Sequence, residues 1–255
     1  MAGVHCVIVG GGPGFSPIQA TGGTISDVTI AGRLYRLHIF NESSQFIVTN
    51  AGSEGGGVRR LIVGAGGGGG QGVSRGGAGS AGGGGAGDHV EGDDSVSAQT
   101  YPVTVGLGGA YNTNGGDSAF NNVAATGGGA GGRYGNPSTT PGKSGASGGG
   151  SGQPGTGQSS VGGAPTGLGY EGGDVVIPAG KETGGGGGGG GAAGPGADAF
   201  GAISVINGGA GGPGVSSSIT GVATFRAAGG GGAGCNASSD SGTGTGEPGA
   251  GGSGI

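Results

Sequence analysis

Residues 184–191 read Gly-Gly-Gly-Gly-Gly-Gly-Gly-Gly, and shorter runs such as Gly66–Gly70 and Gly82–Gly85 recur along the chain. In all, 83 of the 255 residues are glycine. Glycine loses more backbone entropy on ordering than any other residue, and it costs about 1 kcal/mol relative to alanine inside a helix. The runs therefore exclude α-helix as the main element of the fold.

Glycine-rich chains of this kind have a disordered and an ordered interpretation. A low-complexity linker is the disordered one, but such segments are typically rich in charge and poor in apolar residues. Here charged residues make up 9% and hydrophobic residues 31% of the chain. The ordered interpretation is a left-handed helix of the polyproline II type, with three residues per turn and a rise of ~3.1 Å. Without side chains, such helices can pack closely and hydrogen-bond to one another, and residues 184–191 would span roughly 25 Å.

Short apolar blocks between the runs predict β-strands, because they are rich in β-branched residues or alternate at period two. Five lie within positions 1–63 and three lie later: Val4–Val9, Thr24–Ile30, Leu34–Phe40, Phe46–Thr49, Val58–Val63, Tyr101–Val105, Ala202–Ile206 and Thr220–Phe225. We therefore predict a mainly β and irregular fold with essentially no α-helix. A small N-terminal β module at 1–63 would serve docking or oligomerisation, and residues 64–255 would form a bundle of polyglycine II-type helices with short strands and loops.

Polar segments between the glycine runs predict loops. Because a chain of rods must reverse direction repeatedly, these loops would collect at the two ends of the bundle. They are Asp88–Ala98, Asn112–Phe120, Arg133–Lys143, Tyr170–Thr183 and Cys235–Ser241.

Charge and composition exclude several classes of function. The net charge is −5 and the nine Lys and Arg residues are scattered, whereas proteins that bind nucleic acid carry clustered cations. No apolar stretch reaches the ~18 to 20 residues of a membrane span. The first twelve residues lack a secretory signal pattern, so we expect cytoplasmic synthesis. Cys6 and Cys235 do not form a disulfide framework, and a single bridge between them stays open.

Motifs that suggest chemistry are incomplete. Gly10 and Gly12 match the start of a dinucleotide-binding fingerprint, but Phe15 stands at its third glycine and no helix pattern follows. Gly142-Lys143-Ser144 resembles the end of a phosphate loop, yet Pro137 stands where its first glycine belongs. The acidic group Glu91, Asp93 and Asp94 lacks the residue order of a calcium loop. We predict no catalytic residue, cofactor or metal.

Three tyrosines lie in or beside the polar segments, next to polar partners. Tyrosine on a loop offers a large contact area and a polar handle at low entropy cost. A ring that merely covers a glycine rod is the alternative. The candidate binding residues are Tyr111, Asn112, Tyr134, Asn136, Tyr170 and Glu171.

Several segments occur in a familiar order. Tyr35–Phe40, Ser43–Val48 and Val58–Ala65 lead into a glycine run, and later segments include Tyr101–Gly109 and Gly214–Gly232. Together they resemble the glycine-rich domain of phage tail-fibre and other phage tail proteins. A looser similarity is to the adhesins at the tips of T-even-like phage long tail fibres, which stack polyglycine II helices and bind the host surface with loops at one end.

The resemblance implies a virion protein of the tail or fibre tip. Its expected function is adhesion, with receptor-binding loops at 111–122, 133–144 and 170–183. Its expected partners are other phage tail proteins and a bacterial surface glycan or outer-surface protein. A non-adhesive structural connector or decoration protein is the alternative, followed by a polyglycine II antifreeze protein. Tail fibres are commonly threefold, so both a homotrimer and a closed monomer stay open.

Overall fold

The computed structural model describes residues 2–9, 16–53, 55–72, 80–135, 141–154, 158–177, 184–202 and 205–236. Over these ranges it contains β-strands and no α-helix, which confirms the mainly β expectation. The strands are β1 (Gly3–Val9), β2 (Gln19–Thr21), β3 (Thr24–Ile30), β4 (Arg33–Phe40), β5 (Ser44–Asn50), β6 (Gly57–Val63), β7 (His89–Ser95), β8 (Thr100–Thr104), β9 (Ser118–Phe120), β10 (Val123–Ala125), β11 (Ser159–Ser160), β12 (Val175–Val176), β13 (Phe200–Ala202), β14 (Val205–Asn207), β15 (Val215–Ser217), β16 (Thr224–Arg226) and β17 (Cys235–Asn236).

Two five-stranded antiparallel sheets pack face to face. The first has the order β3-β4-β1-β6-β7 and the second β10-β9-β8-β5-β2. The rings of Phe40, Phe46, Tyr101 and Phe120 meet between them, with centroids 5.8 to 6.5 Å apart. Such aromatic pairs add specific geometry to the apolar burial. Smaller sheets, β11-β12, β13-β14-β17 and β15-β16, lie further along the chain.

The first sheet is also covered on its outer face. There Leu37, Leu61 and Val63 are buried together with Ile219, which belongs to the connection between β15 and β16. That connection is a turn with Gly221 at φ 86°. The expected strand Thr220–Phe225 is therefore wrong over its first residues, because the chain reverses there to bring Ile219 onto the sheet.

The segment expected as a loop at Asp88–Ala98 is instead mostly strand β7. It pairs antiparallel with β6 from Gly57↔Ser95 to Val63↔His89. Ion pairs join the two strands at Arg59–Glu91, 2.8 Å, and at Arg60–Asp94, 3.2 Å. Glu91 and Asp94 are therefore matched to cations on the neighbouring strand, a pairing that the local sequence of the segment does not reveal.

Both sheets draw strands from either side of residue 63. Strands β7 to β10 come from residues 89–125, beyond the predicted N-terminal module. The division into 1–63 and 64–255 as separate domains stays a prediction, since sheet membership does not show which part folds by itself.

Between the strands, the glycine segments are joined by backbone hydrogen bonds that repeat at every third residue. Gly64, Gly67 and Gly70 donate to the carbonyls of Asp88, Gly85 and Gly82. The same three-residue step links many other pairs, in both parallel and antiparallel directions. The repeat is incompatible with the two-residue period of a β-ladder.

One glycine segment, residues 80–88, lies at the centre of the others, and we call it the central segment. Its N–H groups at 82, 85 and 88 donate to residues 132, 129 and 126, and those at 83 and 86 donate to 187 and 190. Its carbonyls accept from three further segments. Within the described ranges its five neighbours are residues 64–72, 126–135, 146–154, 184–192 and 227–234.

The segments lie so close that the inner positions exclude any side chain. A Cβ added at Gly187 would overlap the carbonyl oxygen of Gly173, and one at Gly150 would overlap that of Gly187. Residues 184–191 are all buried. The longest glycine run is therefore in the interior of the protein, and its packing is made of main chain.

Acidic and amide side chains complete the hydrogen bonding where a segment ends. Asp117 accepts from the N–H of Gly127 at 2.8 Å, and Asp174 accepts from Gly162 at 2.7 Å. Asn114 accepts from Ala130 at 3.0 Å. These side chains replace missing backbone acceptors, because a buried N–H without a partner is costly.

Candidate binding surface

Tyr111 lies at the tip of a tight turn between two glycine segments. The N–H and hydroxyl of Thr113 both donate to the carbonyl of Ala110, at 3.0 and 2.8 Å. Asn112 has φ 58°, a left-handed conformation that asparagine tolerates better than most residues. The turn leaves the Tyr111 side chain 76% exposed. The ring is therefore displayed to solvent on a fixed backbone.

Gln71 connects this turn to Tyr134. Its N–H donates to Asn112 Oδ1 at 3.2 Å, and its carbonyl accepts from the N–H of Tyr134 at 3.1 Å. The Asn112 N–H in turn donates to the Gly69 carbonyl at 3.1 Å. Two of the predicted tyrosines, which lie on different polar segments of the sequence, thus come to the same end of the bundle.

Lys143 completes this surface. Its Nζ donates to the Asn112 carbonyl at 2.5 Å, and the nearby Asn114 donates to the Ser144 carbonyl at 2.7 Å. Arg133 and Lys143 are both exposed, and Tyr134 is half-buried. We call Gln71, Tyr111, Asn112, Tyr134 and Lys143 the distal patch, because residues 64–72 run away from the sheets and end there.

Tyr170 and Glu171 lie elsewhere. The Tyr170 N–H donates to Gly191 at 3.2 Å, and the Glu171 carbonyl accepts from Gly196 at 3.0 Å. The carbonyl of the adjacent Gly190 accepts a hydrogen bond from the N–H of Ala86. Ala86 lies shortly before strand β7. Tyr170 and Glu171 therefore lie near the end of the bundle that adjoins the sheets. The remaining candidate, Asn136, lies outside the described residues.

Gln71 and Lys143 are the members of the distal patch that sequence reasoning missed. Gln71 is the first large polar residue after the run Gly66–Gly70, which is a usable signal for the end of a glycine segment. Lys143 stands out in the sequence only as part of the incomplete phosphate motif. Nothing local indicates that it lies beside Asn112, because 31 residues separate them.

Titratable groups with shifted pKa values lie away from the distal patch. The pKa of His5 is lowered to about 4, first by burial and then by the charge of Arg226. Burial raises the pKa of the Cys6 thiol to about 12, with a smaller contribution from Asp94. Cys6 is free and buried among the core side chains. These groups belong to the packing of the first sheet.

Two further kinds of feature are missing from the described ranges. These ranges contain no group of three His, Cys, Asp or Glu residues arranged to hold a metal ion. Nor do they contain a helix that is long and apolar enough to cross a membrane.

The chain matches no protein-family model, and no curated protein or solved structure matches it significantly. The chain's own residues must therefore support any functional proposal. Those of the distal patch offer aromatic area, amide and hydroxyl hydrogen-bonding groups, and a cation.

Proposed function

We propose that this chain is a phage tail-fibre or tail-tip protein that adheres to the bacterial surface through the distal patch. Its scaffold is a bundle of polyglycine II-type helices. The support for this scaffold is the three-residue repeat of the inter-segment hydrogen bonds, since a helix with three residues per turn points each third residue at the same neighbour.

Backbone dihedral angles test the scaffold. Chemical shifts of isotopically labelled protein should give the φ and ψ of this helix type for residues 184–191, which are about −75° and about +145°. The extended β values of about −140° and about +135° would contradict the proposal. Residues 24–30 of β3 serve as the internal reference for β geometry.

The observation that carries the adhesive function is the exposed Tyr111 ring on a turn that is hydrogen-bonded to two other segments. A turn whose backbone is fixed before binding loses little backbone entropy when it binds. Tyr134 and Asn112 add a second ring and an amide within the same patch. Such a set suits a sugar, whose faces pack on rings and whose hydroxyls bond to amides.

Charge favours an acidic receptor. Arg133 and Lys143 are exposed at this end, and none of the five residues of the distal patch is acidic. An anionic surface glycan would therefore be attracted despite the net charge of −5. Binding should weaken as salt is raised, because exposed charges are screened within about 8 Å at 0.15 M salt.

An adsorption-blocking assay tests the function. Purified protein should coat host cells and reduce phage adsorption. The double variant Tyr111→Ala/Tyr134→Ala should lose this effect by about tenfold or more, since anchor side chains at interfaces contribute about 2 kcal/mol or more. Tyr170→Ala is the matched control, because it removes the same ring away from the patch. Equal blocking by wild type and the double variant would contradict the assignment of the site.

A structural connector is the second candidate. Leu168 and Tyr170, exposed by 68% and 45%, give an apolar surface near the end that adjoins the sheets, which suits contact with other tail proteins. Electron microscopy of the labelled virion separates the two functions. A connector lies within the tail, whereas an adhesin lies at the fibre tip or tail end.

A further inference from the structure

The central segment, residues 80–88, has a direction in which it meets no neighbour among the described residues. Around the central segment, hydrogen bonds to successive neighbours are made alternately by its carbonyls and by its N–H groups. In this order the neighbours are residues 64–72, 126–135, 146–154, 184–192 and 227–234. A helix with three residues per turn has three donor and three acceptor directions. The five neighbours occupy three acceptor and two donor directions, so the sixth direction is a donor direction.

The donors of that sixth direction are identifiable. Within the part of the chain that the structure describes, the N–H groups of Ala81, Gly84 and Gly87 donate to no other segment. On the neighbouring segment 64–72, the carbonyls of Gly64, Gly67 and Gly70 likewise accept from none of the described residues. Both sets recur at every third residue.

A cavity of about 450 Å³ lies along this direction. It is bounded by the central segment, by residues 63–70 and by residues 227–233. Glycine and alanine line it, with Val63 at one end, and it contains no charged side chain among the residues described. The cavity is therefore neutral and supplied with main-chain donors and acceptors.

We propose that this groove binds an extended glycine-rich segment of a partner protein, which becomes the sixth helix around residues 80–88. The seven residues 81–87 correspond to roughly 20 Å of such a helix. A conventional β-strand does not fit, because its donors and acceptors repeat at period two. Among the described residues, the other glycine segments of this chain already pair with one another, and the occupant that the proposal names is a segment of another polypeptide.

The occupant must carry glycine where it faces the groove. In the occupied directions, a Cβ at Gly82 would overlap the Gly150 carbonyl and one at Gly83 would overlap the Gly230 carbonyl. An occupant that lies as close to the central segment as the other neighbours do has no room for side chains at the positions that face the groove. Positions that face solvent can carry other residues. The partner is thus recognised by its bare backbone.

Two glycines allow the groove to be blocked without disturbing the fold. A Cβ at Gly66 would lie 3.7 Å from the Gly85 carbonyl, and one at Gly69 would lie 3.8 Å from that of Gly82, both ordinary contacts. The variant Gly66→Ala/Gly69→Ala therefore adds two methyl groups to the wall of the groove. Gly108→Ala is the matched control, because nothing lies within 4 Å of its added Cβ.

The probe is a fluorescein-labelled peptide of eight glycines followed by two lysines for solubility. We expect saturable binding to wild-type protein and to Gly108→Ala, and binding weaker by about tenfold or more for Gly66→Ala/Gly69→Ala, since the two added methyl groups overpack the filled groove. Unchanged melting temperatures verify the fold. The amides of Ala81, Gly84 and Gly87 should gain protection from hydrogen exchange when the peptide is added. Equal affinity for all three proteins, or absence of binding to wild type, would overturn the proposal.

A protein that ends at residue 236 adds a second arm to the experiment. If the peptide binds this shorter protein but not the full chain, the groove belongs to this chain's own residues 237–255 and the partner assignment is overturned. Equal binding to both proteins supports a partner. The inference rests on the proposed helical scaffold and not on host adhesion, because the groove and the distal patch are tested by different variants.

Discussion

The carboxylate of Asp88 accepts a hydrogen bond from the N–H of Leu168, at 2.7 Å and 80 residues away along the chain. Its other oxygen accepts from the N–H of Thr126 at 3.1 Å. Asp88 is only 5% exposed, and it lies directly before strand β7. One side chain, at the end of the central segment next to strand β7, thus joins segment 126–135 and the loop at Leu168.

The variant Asp88→Asn should therefore lower the free energy of unfolding by about 1–3 kcal/mol, because its amide nitrogen would face an N–H donor where an oxygen now accepts. Urea denaturation monitors the loss. Asp93→Asn is the control, since Asp93 is an exposed residue of the following strand. A midpoint unchanged from wild type would show that Asp88 does not join these parts.

The glycine bundle should tolerate a methyl group at one glycine and not at another. At Gly187 an added Cβ overlaps the Gly173 carbonyl, whereas at Gly108 it meets nothing within 4 Å. We expect Gly187→Ala to lose about 3 kcal/mol and Gly108→Ala to unfold like wild type. Thermal unfolding of the two variants measures this, and similar melting temperatures would mean that the segments are not closely packed.

Acid should destabilise the protein through its buried histidines. The pKa of His5 is lowered to about 4 from 6.5, and burial also lowers the pKa values of His38 and His89. Between these pH values the unfolded chain binds protons that the folded chain does not, so stability falls as pH falls from about 6.5 towards 4. The shift of His5 corresponds to a contribution on the order of 3 kcal/mol.

The variant His5→Leu lacks the titrating imidazole. Its free energy of unfolding should therefore fall less than that of wild type between pH 6.5 and 4. Urea midpoints at several pH values for wild type and variant give the comparison. Parallel pH profiles would show that the pKa of His5 is the same in the folded and unfolded chains.

The Cys6 thiol should be inert in the folded protein. Its pKa is raised to about 12 by burial, and the thiolate is the reactive form. In a Cys235→Ser background, which leaves Cys6 as the only cysteine, a thiol reagent at pH 8 should react only when urea unfolds the chain. Rapid reaction without urea would place Cys6 at the surface.

Strands were predictable where local pattern and tertiary packing agree. The alternation of Thr24–Ile30 predicts β3 with its observed bounds. Strand β7 was not predictable, because its acidic residues favour a strand only when Arg59 and Arg60 of β6 lie beside them. The single strand expected at Ala202–Ile206 is replaced by β13 and β14, which pair antiparallel at Ala202↔Val205.

The glycine segments show a different limit. Their existence was predictable, but which segment lies beside which was not, because glycine has no side chain that could encode a partner. For the same reason the sequence grouped Tyr111, Tyr134 and Tyr170 by composition alone. Hydrogen bonds through Gln71 bring Tyr111 and Tyr134 to one end of the bundle. The hydrogen bond between Tyr170 and Gly191 keeps Tyr170 near the other end.

A main-chain interior has a thermal consequence. Heat capacity of unfolding rises with the apolar surface that is exposed and falls with the polar surface. Unfolding the bundle would expose peptide groups rather than hydrocarbon side chains, so its heat-capacity change per residue should be smaller than that of the two packed sheets. The free energy of unfolding of the bundle would then change almost linearly with temperature, so the bundle would not lose stability on cooling.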